Sequence, residues 1–290
     1  MGSEKRHIAV TFILLALFAT AKAEENKWLD DYHQPVGFTW DASAIVNTNY
    51  IWRGLYVGGL NLQADASVGY GGAFFNIWCN IGATDWKFNG FLPELDTSIG
   101  FSRWGLTVLF IHMYNFDRYS NGRRSRFFDF SDPEDGIGGV NTEFRIRYKV
   151  SSKLPLSILW CTRFWGRDGY FVEDVVAGED TRVPKRKRAY STYIELGYDF
   201  SLPWELVMPV RFAMTPWKSL YTWYEGDFAV VNIQVGLRRD WKLTDYCRLR
   251  VAGTLMLNPY AIDKENVKWD TGNPGRQRLN ANLGVGIVFD

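Results

Sequence analysis

The sequence predicts an all-β protein, a transmembrane antiparallel up-and-down β-barrel of about 12 strands. Three observations predict it: apolar residues recur at every second position over long segments, connections alternate between short and long, and tryptophans gather at segment ends. The 290 residues are 47% hydrophobic and include 13 Trp. A membrane-spanning helix needs about 18 or more consecutive apolar residues, and no apolar run in the sequence is that long. This excludes a polytopic helical membrane protein.

Charge and cysteine content indicate neither nucleic-acid binding nor metal chemistry. Lys and Arg number 33 against 32 Asp and Glu, a formal net charge of +1, so no nucleic-acid partner is expected. Cys79, Cys161 and Cys247 lie far apart and match neither a disulfide framework nor a zinc-binding spacing. We expect no cofactor and no metal.

The N-terminus has the pattern of a secretory signal. A charged start precedes an apolar stretch from Ile8 to Ala19, and Ala21-Lys22-Ala23 forms a small-x-small cleavage site before Glu24. We therefore expect residues 1–23 to be a cleaved signal peptide and residues 24–36 an N-terminal periplasmic segment. Residues 37–290 are then the barrel, in the outer membrane of a Gram-negative bacterium.

Twelve segments carry the period-two pattern of a strand with one apolar and one polar face. From Val140 to Val150, for example, apolar residues and Thr142 alternate with Asn, Glu, Arg and Lys. These segments match the about 9 to 11 residues that cross a bilayer at a tilt, whereas strands of soluble sheets average about 5 to 6. The segments are 37–49, 60–70, 73–83, 93–102, 105–115, 139–150, 155–165, 188–200, 205–215, 229–240, 246–257 and 278–289.

Two segments fit this pattern less well. Both faces are apolar between Leu106 and Tyr114, apart from Thr107 and His112, so the sequence does not fix which side chains face inward. Pro209 interrupts another segment, where it removes a ladder hydrogen bond unless it occupies a bulge. Both features leave the strand count open.

The connections alternate in length. Short ones lie at Gly71-Gly72, Arg103-Trp104, 151–154, 201–204 and 241–245, and long ones at 50–59, 84–92, 116–138, 166–187, 216–228 and 258–277. This alternation predicts short periplasmic turns, longer outside loops and an even number of strands.

Tryptophans at the strand ends are expected to form an aromatic girdle among the outer-membrane lipids. The predicted girdle consists of Trp52, Trp86, Trp104, Trp165, Trp204, Trp217 and Trp241.

Charged residues on the polar face are predicted to line the bore, with an acidic wall on the first strands and a basic wall on the later ones. The predicted pore-lining residues are Asp41, Asp65, Glu94, Asp96, Glu143, Arg145, Arg147, Arg163, Glu195, Arg211, Arg238, Arg248 and Arg250. Charges facing each other across a bore leave a narrow aqueous passage or pair and close it.

Several short motifs resemble the TorF-like family of outer-membrane porins, whose first loop carries an Asn-Tyr-x-x-Arg-Gly signature. They are Asn49-Tyr50-Ile51-Trp52-Arg53-Gly54, Leu62-Gln63, Trp78 and Glu94-Leu95-Asp96 with Gly100. The resemblance covers roughly residues 1–115. It implies an envelope barrel with porin activity and no known catalytic residues.

Other polar groups do not assemble into an enzyme site. His33 and His112 lack a serine at local triad spacing, so no enzyme activity is expected. The basic run Lys185 to Arg188 is either a lipid-phosphate contact or a solvated loop edge. The acidic patch Asp129, Asp132, Glu134 and Asp135 lacks the spacing of a calcium loop.

Three functions follow from the sequence as hypotheses. The first is a porin-like channel for passive passage of small hydrophilic solutes, anions among them. The second is a plugged barrel that serves as an envelope scaffold or complex subunit. The third is a secreted soluble carbohydrate-binding β-sandwich, which would use the many tryptophans as stacking platforms. The oligomeric state is left open.

Overall fold

The computed structural model describes residues 37–82, 94–115, 126–128, 140–151, 153–166, 168–175, 182–260 and 278–289. The predicted signal peptide, the predicted periplasmic segment, Trp86 and the acidic patch lie outside the described residues. Within these ranges, no helix has the length and apolar character needed to cross a membrane.

Twelve antiparallel strands close into one barrel, which confirms the predicted fold class and strand number. The barrel strands are β1 (Phe38–Asn47), β4 (Asn61–Tyr70), β5 (Ala73–Gly82), β6 (Glu94–Arg103), β7 (Leu106–Asn115), β8 (Val140–Lys149), β9 (Leu156–Gly166), β12 (Thr192–Leu202), β13 (Leu206–Thr215), β14 (Ala229–Thr244), β15 (Cys247–Leu257) and β16 (Leu279–Phe289). Each barrel strand pairs with the next along the chain, and β1 pairs with β16 to close the barrel. The hypothesis of a soluble β-sandwich is therefore wrong.

Two hairpins and one 3-10 turn belong to the long connections. The first long connection forms a hairpin of β2 (Tyr50–Trp52) and β3 (Leu55–Gly58). Residues 166–187 contain most of a second hairpin, made of β10 (Gly169–Val175) and β11 (Arg182–Arg188). A single 3-10 turn, Leu220–Thr222, lies between β13 and β14, and all three of its residues are buried.

Apart from β7, described below, the apolar row of the strands faces outward and the polar row inward. On β14, Ile233, Val235 and Leu237 are exposed, whereas the alternate positions between them are covered or half-buried. A row of large apolar side chains exposed around a closed barrel fits lipid, because a soluble barrel would bury that row. The barrel therefore presents an apolar belt outside and a polar interior.

The structure fixes the phase of β7, which the sequence left open. Leu109, Ile111 and Met113 face inward, where Phe74 packs against them, and Phe110 faces outward with half of its surface exposed. One sector of the inner wall is therefore apolar, which explains why neither face of this segment is polar.

Pro209 lies within a continuous strand. It pairs with Asp199 of β12, and the β13–β14 register shift lies elsewhere, between Ala213 and Met214. A Cβ built on Gly236 of β14 would lie 3.2 Å from Pro209 Cγ, so the absence of a side chain there makes room for the proline ring. The strand count is unchanged.

Candidate functional site: the bore and the first-loop hairpin

The hairpin of residues 50–58, called here the first-loop hairpin, folds into the mouth of the barrel. Its tip, Arg53-Gly54, has a left-handed backbone, with φ of 52° and 82°. A Cβ on Gly54 would lie 2.4 Å from the carbonyl oxygen of Val231, and Asn258 donates a hydrogen bond to the Gly54 carbonyl. Glycine is needed at this position because the backbone passes directly against β14.

Arg53 ties the tip of this hairpin to the opposite wall. Its guanidinium donates to both carboxylate oxygens of Glu143 on β8, at 2.6 Å each, and to the Tyr221 hydroxyl at 2.6 Å. Arg145 shares the same carboxylate, 3.0 Å from Oε1. The Arg53 and Glu143 side chains are 8% and 0% exposed. Because the hairpin is rooted between β1 and β4, its contacts with β8 and β14 place it across the bore.

An aromatic cluster surrounds the Arg53 guanidinium. The centre of the Trp52 ring lies 4.7 Å from Arg53 Cζ, and the centre of the Tyr193 ring lies 5.0 Å from it. The guanidinium carbon of Arg163 lies 5.1 Å from the centre of the Trp52 ring. Trp52 also packs against Tyr221, with ring centroids 5.5 Å apart. The placement of Trp52 in the lipid-facing girdle was wrong, because the hairpin carries this ring into the barrel interior.

Burial controls protonation around the hairpin. Burial raises the pKa of Tyr221, so its hydroxyl stays protonated and accepts from Arg53. Burial opposes the charge of Arg53, yet acidic neighbours including Glu143 more than offset this and raise its pKa. Burial, with the nearby Glu94 carboxylate, also raises the pKa of Tyr50. The guanidinium is therefore charged and both tyrosines are neutral.

A second set of contacts holds the base of the hairpin. The Tyr50 hydroxyl donates to Glu94 of β6 at 2.8 Å, and the Tyr50 ring lies 5.8 Å from Trp78. The Asn49 side chain donates to the Ala281 carbonyl at 2.7 Å. With Arg53 and Gly54, each named residue of the Asn-Tyr-x-x-Arg-Gly pattern thus holds the first-loop hairpin in the mouth.

The strand registers place the thirteen predicted pore-lining residues on inward positions. Several charges there are matched by acids or amides: Arg211 lies 2.5 Å from Asp199 and 3.6 Å from Glu195, and Asn76 donates to Asp65. Arg147 and Arg238 make no hydrogen bond or ion pair with any part of the chain that the structure describes. The role of the thirteen residues in lining a pore stays a prediction.

Three inward residues that the predicted set omits take part in this network. Asp199 and Asp240 pair with Arg211 and Arg250, and Arg53 reaches Glu143 from a loop. Strand parity alone identifies both aspartates, since each lies an even number of residues from a predicted inward position. The residues near Arg53 in the sequence do not predict its contact with Glu143, because Glu143 is 90 residues away.

Several inward charges reach water-sized space inside the barrel. The side chains of Arg145, Arg211 and Arg250 are 27%, 21% and 23% exposed. Below the first-loop hairpin, the basic wall therefore borders open volume.

The other predicted girdle residues that the structure describes are exposed, and all of them except Trp241, which lies inside β14, are at or near a strand end. They are Trp104, Trp165, Trp204, Trp217 and Trp241. Arg188, from the basic run, stacks over Trp165 at 5.5 Å and donates to the Gly166 carbonyl. Within the described ranges, no group of three or more His, Cys, Asp or Glu could hold a metal ion.

No protein-family profile matches the chain, and no curated protein matches it either. Among solved structures, the chain is similar to the NanC porin, at 10% identity and a TM-score of 0.42, over 87% of this chain and 100% of that one. It is also similar to the toluene transporter TodX of Pseudomonas putida (8%, TM-score 0.39, 91% and 92%) and to an anion-selective porin from Comamonas acidovorans (10%, TM-score 0.32, 87% and 98%). These likenesses are too distant to bear on function, which is argued below from the residues of this chain.

Proposed function

We propose that the protein is a narrow, water-filled outer-membrane channel through which small hydrophilic solutes pass passively, with anions favoured. The observation that carries this proposal is Arg147, an inward guanidinium that makes no hydrogen bond or ion pair with the described residues. An unpaired charge in a dry interior costs several kcal/mol or more, so a closed and dehydrated bore would leave Arg147 strongly unfavourable. Water in the bore removes that cost.

Anion preference is supported by where the charges lie. On the wall formed by β8, β9, β12 and β13, together with the hairpin tip, five guanidinium groups face three carboxylates. The guanidinium groups belong to Arg53, Arg145, Arg147, Arg163 and Arg211, and the carboxylates to Glu143, Glu195 and Asp199. The predicted acidic residues Asp41, Asp65, Glu94 and Asp96 lie on β1, β4 and β6. Positive charge concentrated on one low-dielectric wall draws anions to that side of the bore.

The first-loop hairpin supports a small conductance. It crosses the mouth and is fixed at its tip by Glu143 and at its base by Glu94, so it narrows the passage. Asn49, Tyr50, Arg53 and Gly54 hold it there, and we propose this as the role of the pattern in which the chain resembles the TorF-like family.

The apolar outer belt supports a location in the outer membrane, with lipids as partners. We propose a transport function without catalysis; the hydroxyl of Ser191, which donates to the Asp168 carboxylate, is buried and also accepts from the Leu220 backbone N–H.

Planar-bilayer recording of the purified barrel tests this function. We expect a small, steady conductance from protein that migrates differently on a gel before and after boiling, as closed barrels do. The plugged scaffold is favoured by one observation, the buried tie between Arg53 and Glu143. Folded protein that inserts but shows no conductance would establish that alternative.

A further inference from the structure

A groove lies on the outer surface of β14 and β15, toward the short turn that joins these strands. Its volume is about 310 Å³, and its lining includes Leu206, Leu237, Trp241, Val251 and Gly253 as well as Arg239. Gly253 lies directly opposite the exposed Leu237 and so belongs to the outward row. A Cβ built on Gly253 would meet nothing within 4 Å. The missing side chain therefore leaves a notch in the apolar belt.

Arg239 brings a positive charge into this apolar row. It lies between Leu237 and Trp241 on the outward face of β14 and opposite Val251, so it is nearer the short turn than Gly253. Its guanidinium carbon lies 5.0 Å from the centre of the Trp241 ring, and it makes no hydrogen bond with the described residues. A charge on the lipid-facing row of a barrel is tolerated near the membrane interface, where the lipid headgroups lie. Arg239 therefore marks the headgroup end of the groove.

Glu205, in the turn after β12, adds a negative charge at the same place. Its carboxylate lies 3.8 Å from the Arg239 guanidinium, whereas the hydrogen bonds of a tight pair measure about 2.7 to 2.9 Å. The Glu205 side chain is also 81% exposed. The two groups are therefore close, but each keeps its capacity for hydrogen bonds. Together they carry no net charge, so they complement a headgroup that has one anionic and one cationic group.

We propose that this groove holds one zwitterionic phospholipid of the leaflet next to the short turns. One acyl chain fills the notch at Gly253, because an empty groove in a lipid-facing surface would forfeit packing contacts. The headgroup phosphate accepts hydrogen bonds from Arg239, and the headgroup ammonium lies beside Glu205. The inference goes beyond the general contact of the belt with lipid, because it assigns a specific lipid site. It rests on the outer-membrane location proposed above and not on whether the bore conducts.

Native mass spectrometry of the detergent-solubilised barrel tests the site, with dioleoyl phosphatidylethanolamine as the probe. We expect one molecule of this lipid to stay bound per chain. Dioleoyl phosphatidylglycerol has the same acyl chains and phosphate but no ammonium group, so less of it should stay bound. Glu205→Gln should remove this difference between the two lipids, since it removes the carboxylate that lies beside the ammonium group.

Two further variants test the acyl-chain end and the headgroup end separately. Gly253→Phe should lower retention of phosphatidylethanolamine roughly tenfold or more, because the added ring occupies the space of the acyl chain. Its matched control is Ala66→Phe, which adds the same ring at an exposed outward position of β4. Arg239→Gln should lower retention roughly tenfold, because it removes a charge-assisted hydrogen-bonding group. Its matched control is Arg103→Gln, which removes the same charge from beside Trp104, at the short-turn end of β6.

The site is refuted if no phosphatidylethanolamine stays bound, if the two lipids are retained equally, or if either control lowers retention as much as its paired variant. Every variant is first checked for heat-modifiable migration on a gel, and Arg239→Gln decides the test if Gly253→Phe does not fold. Conductance is measured separately. A barrel that retains the lipid without conducting keeps the site and loses the channel, and a conducting barrel that retains no lipid loses only the site.

Discussion

Arg53 holds the tip of the first long connection inside the mouth of the barrel. A loop arginine of this kind is usually solvated, but here its guanidinium is 8% exposed and bound to a fully buried carboxylate on the far wall. The geometry is bidentate, which fixes the direction of the hairpin as well as its position. The tip of the hairpin therefore stays in the mouth because of this contact and the close fit of Gly54, while Asn49 and Tyr50 hold its base.

Replacing Arg53 with Gln should release the tip of the first-loop hairpin and raise single-channel conductance by roughly a factor of two or more, since the passage widens. The matched control is Arg163→Gln, which removes the same charge beside the same Trp52 ring but leaves the tie to Glu143 intact. A rise in both variants would mean that charge, and not the tie, limits the current.

Gly54→Ala tests the same tie without changing charge. The added Cβ would lie 2.4 Å from the Val231 carbonyl, so the tip has to move away from β14. Gly253→Ala is its control, because a Cβ there meets nothing within 4 Å. We expect higher conductance for Gly54→Ala alone, and unchanged currents in both variants would contradict the close fit.

Strands and their connections follow from the sequence because a strand's pattern is local. Alternation between Val140 and Val150 depends only on neighbours, and the strand Val140–Lys149 lies where it predicts. The phase of β7 could not be predicted, since its inward face is apolar too and packs against Phe74 of β5. The first-loop hairpin could not be predicted either, because Trp52 and Arg53 find their partners on strands far away in the chain.

The assignment of the two faces predicts opposite responses to charge at neighbouring positions of β14. Val235 faces outward and is exposed, so Val235→Arg should lower the free energy of unfolding by about 2 to 4 kcal/mol if the side chain meets the middle of the bilayer. Gln234 faces inward, and Gln234→Arg should change that free energy little. Urea-dependent unfolding from lipid vesicles measures both. Equal losses would show that the faces are assigned wrongly.

At the scale of the whole molecule, the alternation of short and long connections sets the orientation. Single cysteines at Asp227, in a long connection, and at Lys153, in a short turn, test it in a variant that lacks Cys79, Cys161 and Cys247. Both positions are exposed. An impermeant thiol reagent applied to whole cells should label Asp227→Cys and leave Lys153→Cys unlabelled. The opposite pattern would reverse the orientation.

The barrel as a whole combines a rigid wall with a charge distribution that is uneven around its axis. Arginines occupy inward positions from β8 to β15, and two of them, Arg147 and Arg238, make no hydrogen bond or ion pair with the described residues. The predicted acidic wall includes Asp65 and Glu94, which accept hydrogen bonds from Asn76 and Tyr50. Under the proposed function, an anion moving along the basic wall would meet guanidinium groups, among them Arg147, that make no ion pair with the described residues.

The proposed water-filled bore with an anion preference is tested most directly by the reversal potential under a potassium chloride gradient. This potential is measured on the unmodified barrel and on Arg147→Glu. Arg147 is the best position because it makes no hydrogen bond or ion pair with the described residues, so the change alters the field in the bore without breaking such a contact. We expect a mild chloride preference in the unmodified protein and a shift toward potassium in Arg147→Glu, with the heat-modifiable fold retained. Identical reversal potentials in the two proteins would contradict a water-filled bore lined by Arg147.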